Sequence, residues 1–393
     1  MRILLGGDML RGNFAGSGQY TLNLLRKLSE QPEIADLKIL VKGQIRDSTR
    51  LLDEVARYGE NRSDQRSLSS LYFPGWLDSL AGSSLFLNCY SAIIPHLERR
   101  SFRDYSATDI FHSPNFFAPD FPGKSFITIL DLSTLLHPHL QPASRVAFVN
   151  KHIYRAIFSD AKIITISERI RSELLDFFEI PSDRISVTTL GADARYHPID
   201  VNQFDAGHWG RLLEYKKYFL FVSTIEPRKN IPRLLKAYHQ CRRDWTENYP
   251  LVIAGKPGWE SKSLLRELRA ASPHTGVIYL GYVEQTHLPA LLAGARALLY
   301  PSLYEGFGLP VLEAMQSGTP VLTSKNTSMA DIGGKAVMTV DPTDVQAIAS
   351  AISDLAADGL LLKKLRDRGL EQCRTFTWER CVKDTLRVYL SSL

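Results

Sequence analysis

The feature that most constrains this chain is a repeated alternation of short apolar runs with longer amphipathic segments. In the second half the runs are Tyr218–Ile225, Leu251–Gly255, Val277–Gly281, Ala297–Pro301, Pro320–Ser324 and Val337–Val340. Segments of helical spacing lie between them, the pattern of a βαβ series. Strands joined through helices lie parallel, so the expected fold is α/β with a doubly wound sheet. The first half repeats the plan with Arg2–Gly7, Leu37–Val41, Asp109–Ser113, Ser125–Leu130, Lys162–Ser167 and Arg184–Leu190. A chain of 393 residues is too long for one ordinary core. Polar and glycine residues at Ile199–Gly210 read as a linker. The expected division is therefore a domain at 1–200 and a second at 201–375. A closing helix at 376–393 places Trp378, Val382, Leu386 and Tyr389 at helical spacing.

Charge and composition narrow the partners. The net charge is +5 and the isoelectric point about 8.9. That balance suits an anionic substrate or an anionic membrane surface and is too weak to imply nucleic acid. Cys89, Cys241, Cys373 and Cys381 form no C-x-x-C pair, so neither a zinc site nor a disulfide framework is expected. The opening MRILLGGDM reads as a strand rather than a signal peptide, and no apolar run reaches membrane-spanning length. The cytoplasm is the expected setting. Arg66–Ser70 is polar, and the apolar tract Trp76, Leu77, Leu80, Leu85 and Phe86 leads to the basic cluster Glu98–Arg103. That combination reads either as core plus a solvated helix end or as a peripheral contact with an anionic inner membrane.

The chemistry concentrates in Tyr300–Pro320. A strand ends at Ser302, a loop carries Glu305-Gly306-Phe307-Gly308, and a short helix begins near Leu309 and Pro310. Proline suits a first helical turn, and Gly318 fits just past the end. Leu309, Leu312 and Met315 can share its inner face. The two glycines allow a ligand close to the backbone, and the helix N-terminus favours a phosphate. Glu305 and Glu313 flank this anion site, where carboxylates suit ribose or sugar hydroxyls. The pairing points to a nucleotide-sugar rather than a bare phosphate.

Other strand ends add candidates. Glu226-Pro227-Arg228-Lys229-Asn230 puts two adjacent cations after a strand, which suits a diphosphate. Gly281-Tyr282-Val283 closes another. In the first half, His112 and Asp131 stand at strand carboxyl ends, where an open parallel sheet places ligands. Asp131 or Ser133 can equally cap the next helix. The loop Asp8–Ser17 is followed by a helix with Tyr20, Leu24, Leu25 and Leu28 on one face. Its glycines, Gly12, Gly16 and Gly18, do not form G-x-G-x-x-G, which weakens a nicotinamide-dependent oxidoreductase. No D-x-D or His/Asp/Glu grouping has metal-ligand spacing, so no cofactor or metal is expected.

The segment E-G-F-G-L-P-V-L-E, Glu305 to Glu313, resembles the E-x7-E motif of the family 4 retaining glycosyltransferases, which have the GT-B fold. E-P-R-K-N resembles the family's donor-diphosphate loop, and Gly281-Tyr282-Val283 its nucleobase border. A-G-S-G-Q-Y, with Gly16, Gly18 and Gln19, resembles the loop near the donor phosphate and the acceptor. Gly191-Ala192-Asp193 through Tyr196-His197-Pro198 resembles the family's exit from the first domain. The resemblance implies two Rossmann-like domains facing a central cleft, with the last helix crossing back to the first. It implies a nucleotide diphosphate sugar bound by Glu226, Arg228, Lys229, Tyr282, Val283, Glu305 to Leu309, and Glu313. Catalytic roles fall to Glu305, Asp131, Arg228 and Lys229, without a metal. Gln19, His112, Leu130 and Ser133 would line the sugar and acceptor pocket. Many relatives read H-D-L where this chain has Leu130-Asp131-Leu132, so the histidine that meets a donor 6-hydroxyl is replaced by leucine. A 6-deoxy donor such as rhamnose would fit that change, with GDP-mannose as the default. The implied activity is retaining hexosyl transfer to a glycan or lipid-linked acceptor in surface polysaccharide biosynthesis. A GT-B epimerase, distinguished by its products, and a non-catalytic nucleotide-sugar-binding subunit are the alternatives.

Overall fold

In a computed structural model, the chain is described at 1–10, 16–60 (backbone alone at 56–60), 98–205, 213–241, 248–270 and 275–393. It divides into two compact units. One comprises Met1–Leu190 with Trp378–Leu393, the other Gly191–Thr377. The expected apolar tract Trp76 to Phe86 lies outside the described residues.

The first unit holds β1 (Arg2–Gly6), β2 (Asp36–Val41), β3 (Gln44–Asp47), β4 (Ile110–Ser113), β5 (Lys124–Ile129), β6 (Lys162–Thr165) and β7 (Ile185–Val187). Their spatial order is β3-β2-β1-β4-β5-β6-β7. All pairings are parallel except β2 with β3. That hairpin was not anticipated. Its turn is Lys42-Gly43, with φ of 52° and 74°. A two-residue turn of that kind needs positive φ at both positions, and only the glycine announces it.

The second unit holds β8 (Phe219–Val222), β9 (Leu251–Ala254), β10 (Val277–Gly281), β11 (Ala297–Tyr300), β12 (Val321–Ser324) and β13 (Met338–Val340). Their order is β10-β9-β8-β11-β12-β13, all parallel. The inner strands β9, β8, β11 and β12 are almost entirely buried and mostly apolar without alternation, while the edge strands β10 and β13 are partly exposed. Each sheet has a point where the winding reverses, between β1 and β4 and between β8 and β11. Ligand crevices of doubly wound sheets form at the carboxyl ends beside such a point. A helix at Gly359–Gln372 was also not anticipated. Asp358 starts it by accepting from the backbone N–H of Leu360 and Leu361, both at 2.9 Å.

The closing helix, Trp378–Leu390, buries Trp378, Val382, Leu386 and Tyr389 as the spacing predicted. It packs on the helix Gly16–Ser29 within the first unit. The Tyr20 and Trp378 rings stack at 6.4 Å, and Lys27 pairs with Glu379 at 3.1 Å.

Two expectations change here, and one open choice closes. His112 does not line a sugar pocket. It is fully buried, with Nδ1 2.6 Å from the Tyr389 hydroxyl and Nε2 2.8 Å from Thr128 Oγ1. Its side chain projects into the unit rather than past the strand end. Ser133 is buried too, donating to Asp131 Oδ1 at 2.6 Å and accepting from Gln141 at 3.2 Å. Phe102 of the basic cluster is core, edge-on to Phe121 at 5.2 Å, so its ring is not a membrane anchor. No single helix among the described residues is long and apolar enough to cross a membrane.

Burial holds the His112 imidazole at about 3, far below its ordinary 6.5. A base whose folded value is depressed contributes stability that is present above its unfolded value and lost as pH falls. Unfolding at mildly acid pH should therefore take up a proton at His112. Replacing His112 with Asn should flatten the dependence of unfolding free energy on pH between about 4 and 6 by up to about 1.4 kcal/mol per unit. Urea titrations of both proteins across that range measure it, and equal slopes would refute a buried neutral His112.

Candidate functional site

The site in the second unit is built where its winding reverses. After β8 the chain makes one tight turn, Pro227–Lys229, and Asn230 takes the left-handed conformation with φ 60°. Asparagine tolerates that conformation. Its side chain donates to the carbonyls of Pro301 at 2.9 Å and Pro342 at 2.7 Å, pinning the turn to the neighbouring strand ends. After β11, Ser302 to Gly308 form the second loop. Leu303 N donates to the Arg228 carbonyl at 2.9 Å, so the two loops are joined directly.

Four charges meet between these loops. The Arg228 guanidinium contacts Glu226 Oε1 at 2.7 Å and Glu305 Oε2 at 2.6 Å. Lys229 Nζ contacts Glu305 Oε1 and donates to the Tyr300 hydroxyl at 3.0 Å. Tyr300 and Ser302 hydroxyls reach the same Glu305 oxygen at 3.1 and 2.8 Å. All four charged side chains are at most 12% exposed. Burial alone would raise the Glu305 carboxyl, but Arg228 and Lys229 outweigh it and hold it down at about 2. Glu305 is thus a fixed anion that positions both cations. Tyr300, Ser302 and Ser328 were not singled out as site residues in the sequence. Ser328 donates to the Glu305 carbonyl at 2.6 Å from the start of the helix Ser328–Gly333, which follows β12. Their only signal was a position at or just past a strand end.

The helix Leu309–Gln316 follows at once. Gly308 caps it with φ 106°, and a Cβ there would lie 2.6 Å from Met329 Cγ. Only glycine fits that turn. The helix is buried almost all round, including Glu313. Phe307 and Val283 are also buried, at 3% and 4% exposure, so their side chains belong to the core and only backbone can face a ligand. Tyr282, at 44%, is free to cover one.

Glu313 has the opposite environment to Glu305. It lies beside Arg195 and Tyr196, and burial pushes its carboxyl up to about 7 against their pull. The segment around it is tied in by Gln316 Nε2 donating to the Asp193 carbonyl at 2.9 Å, and by Arg195 donating to Gln285 at 2.9 Å. Tyr196 and Arg195 were legible only as part of the exit motif.

The remaining candidates belong to the other unit. Gly16 and Gly18 stand in the first turn of the helix Gly16–Ser29, Gly18 buried and Gly16 exposed, with Gln19 half-buried. Leu130 directly follows β5 and is half-buried. Asp131 lies just before the short helix Ser133–Leu136, its Oδ1 accepting from Ser133 N at 2.9 Å.

Residues 210–372 match the family described as Glycosyl transferases group 1. Over 389 residues the chain is 33% identical to the O-antigen chain mannosyltransferase B of Escherichia coli, covering 99% of both proteins. The chain belongs to the group 1 glycosyltransferases. The solved sucrose-phosphate synthase of Thermosynechococcus elongatus shares its fold at TM-score 0.72 and 17% identity, covering 100% of this chain and 99% of that one. WaaG, a glycosyltransferase involved in lipopolysaccharide biosynthesis, does so at 0.68 and 12%, covering 98% and 99%. Fold and family are those the motifs implied: GT-B, with two Rossmann-like α/β units.

The two motif glutamates of this glycosyltransferase should respond oppositely to neutralisation. Glu305→Gln leaves two buried cations short of a partner and should cost about 3–5 kcal/mol of stability. Glu313 is raised from 4.5 to about 7 in the fold, so its contribution is full below the unfolded value and lost as pH rises through 7. Glu313→Gln should therefore match wild type at about pH 5 and exceed it at about pH 8. Urea unfolding at both pH values tests the pair. A Glu305→Gln protein as stable as wild type would overturn the ion-pair assignment.

Proposed function

We propose that the chain transfers a mannosyl-type sugar from a nucleotide diphosphate sugar to a glycan or lipid-linked acceptor in surface polysaccharide assembly. The reading rests on one observation above all. Arg228 and Lys229 are fixed side by side at the winding reversal of the second sheet, beside the start of a glycine-capped helix. The name of the full-length Escherichia coli relative supports the sugar and the pathway.

In this reading the diphosphate lies against the two cations and the N-terminal end of the helix Leu309–Gln316. Charge grows on the β-phosphate as the bond from C1 to its oxygen breaks, and Arg228 and Lys229 stabilise it. The acceptor oxygen bonds to C1 on the same face, and its proton passes to the departing β-phosphate. Configuration is retained without a covalent enzyme intermediate and without a metal. Glu305 keeps the cations aligned and stands nearest the transferred sugar. The ribose hydroxyls bond to the Glu313 carboxyl.

Calorimetric titration with free nucleoside diphosphate tests the donor site. Arg228→Ala and Lys229→Ala should each weaken binding by about 1.5–3 kcal/mol, tenfold or more. Glu313→Gln should also weaken it, whereas Glu305→Gln should lower turnover more than affinity. Wild-type affinity in both cation variants would remove the diphosphate assignment.

Leu130 bears on the sugar. Burying a 6-hydroxyl against leucine without a partner costs about 1–3 kcal/mol, while a 6-methyl group gains from the contact. Wild type is expected to prefer a 6-deoxy donor over its hexose counterpart on the same nucleotide, with Leu130→His shifting preference to the hexose. Competition assays with both donors decide this, and a wild-type preference for the hexose assigns mannose instead.

A further inference from the structure

The interior of the first unit contains a chain of polar side chains that the reaction as described does not use. The Tyr20 hydroxyl lies 3.0 Å from Thr128 Oγ1. Thr128 Oγ1 lies 2.8 Å from His112 Nε2, and His112 Nδ1 lies 2.6 Å from the Tyr389 hydroxyl. All four side chains are fully buried. The chain crosses the unit from the helix Gly16–Ser29 through β5 and β4 to the closing helix. Both imidazole nitrogens are engaged whichever tautomer the ring adopts.

Apolar side chains of similar size would fill this space without desolvating three hydroxyls and an imidazole. What a satisfied polar chain adds is a unique arrangement: each bond is directional, whereas apolar packing tolerates small slides. The element held at the far end is informative. Tyr20 sits one turn into the helix whose first turn carries Gly16, Gly18 and Gln19, and the Tyr20–Trp378 stack and the Lys27–Glu379 pair hold the same two helices together.

We propose that Tyr389, His112, Thr128 and Tyr20 form a positioning relay by which the closing helix sets the first turn of the helix Gly16–Ser29 for glycosyl transfer. This rests on the reading that Gly16 to Gln19 face the substrates. The four residues touch no substrate and act through that turn. Small displacements of positioning groups cost rate rather than folding.

Thr128→Val removes the central hydroxyl at nearly constant shape, Thr128→Ser restores it, and Tyr389→Phe removes only the distal one. Two readouts are used, at a temperature where each variant is folded by circular dichroism. Hydrogen exchange of the Gly18–Leu24 amides reports the link itself. Steady-state transfer from GDP-mannose reports its consequence. Thr128→Val and Tyr389→Phe should lose protection at those amides and lower kcat about tenfold or more, with the donor KM within about threefold. Thr128→Ser should restore both. Unchanged exchange overturns the relay, and so does changed exchange with an unchanged kcat, which would mark the chain as purely structural. If wild type transfers no sugar, the functional proposal fails while the exchange arm still decides the link. Should Thr128→Val not fold, Tyr389→Phe carries both readouts.

Discussion

The second unit depends on a buried neutral quartet: Glu226, Arg228, Lys229 and Glu305. Two adjacent cations inside a protein repel each other and pay heavily for lost hydration. They persist here because two carboxylates and a phenol satisfy them, while the Ser302 hydroxyl donates to Glu305. The quartet thereby holds β8 and β11 in register at their carboxyl ends and fixes the approach to the glycine-capped helix. A buried ion pair of this kind adds little net stability over an apolar replacement. Its value lies in where it places charge. Under the proposed reading, a diphosphate arriving there meets cations already aligned, so little reorganisation accompanies the transition state.

The same argument separates the motif's two glutamates. They stand eight positions apart, and sequence alone gives them equal standing. Glu305 faces two cations and stays ionised at about 2. Glu313 faces a tyrosine and one arginine shared with Gln285 and Asp193, and burial holds it near 7. One carboxyl is a permanent structural anion. The other is held by burial at a value where it titrates near neutral pH.

The sheets were legible because buried parallel strands are continuous apolar runs, and the six runs of the second half each became a strand. The β2–β3 hairpin was not, since its turn depends on positive φ at Lys42 and its strand is half-exposed and polar. The site was legible where chemistry and local geometry coincide: Gly308, the cation pair and both glutamates. His112 misled because the rule about strand carboxyl ends says where a residue lies along the strand and nothing about which way its side chain points. Tyr300 and Ser328 were invisible for a related reason. Their roles come from which strand ends the topology makes neighbours, and a linear motif does not contain that.

Both units follow one doubly wound plan, yet their carboxyl edges differ in kind. In the second unit the loops beside the reversal carry cations and a helix start. In the first unit, β4 ends in Ser113, Pro114 and Asn115, and β5 leads to Leu130, Asp131 and Ser133, which are apolar, neutral or acidic. Several of these polar groups already bond to one another: Ser133 to Asp131, and Ser113 to Asn115 at 2.9 Å. Such an edge has little to offer a phosphate. Two copies of one architecture thus differ in the charge of their carboxyl edges, a difference set by the loop residues and not by the strands.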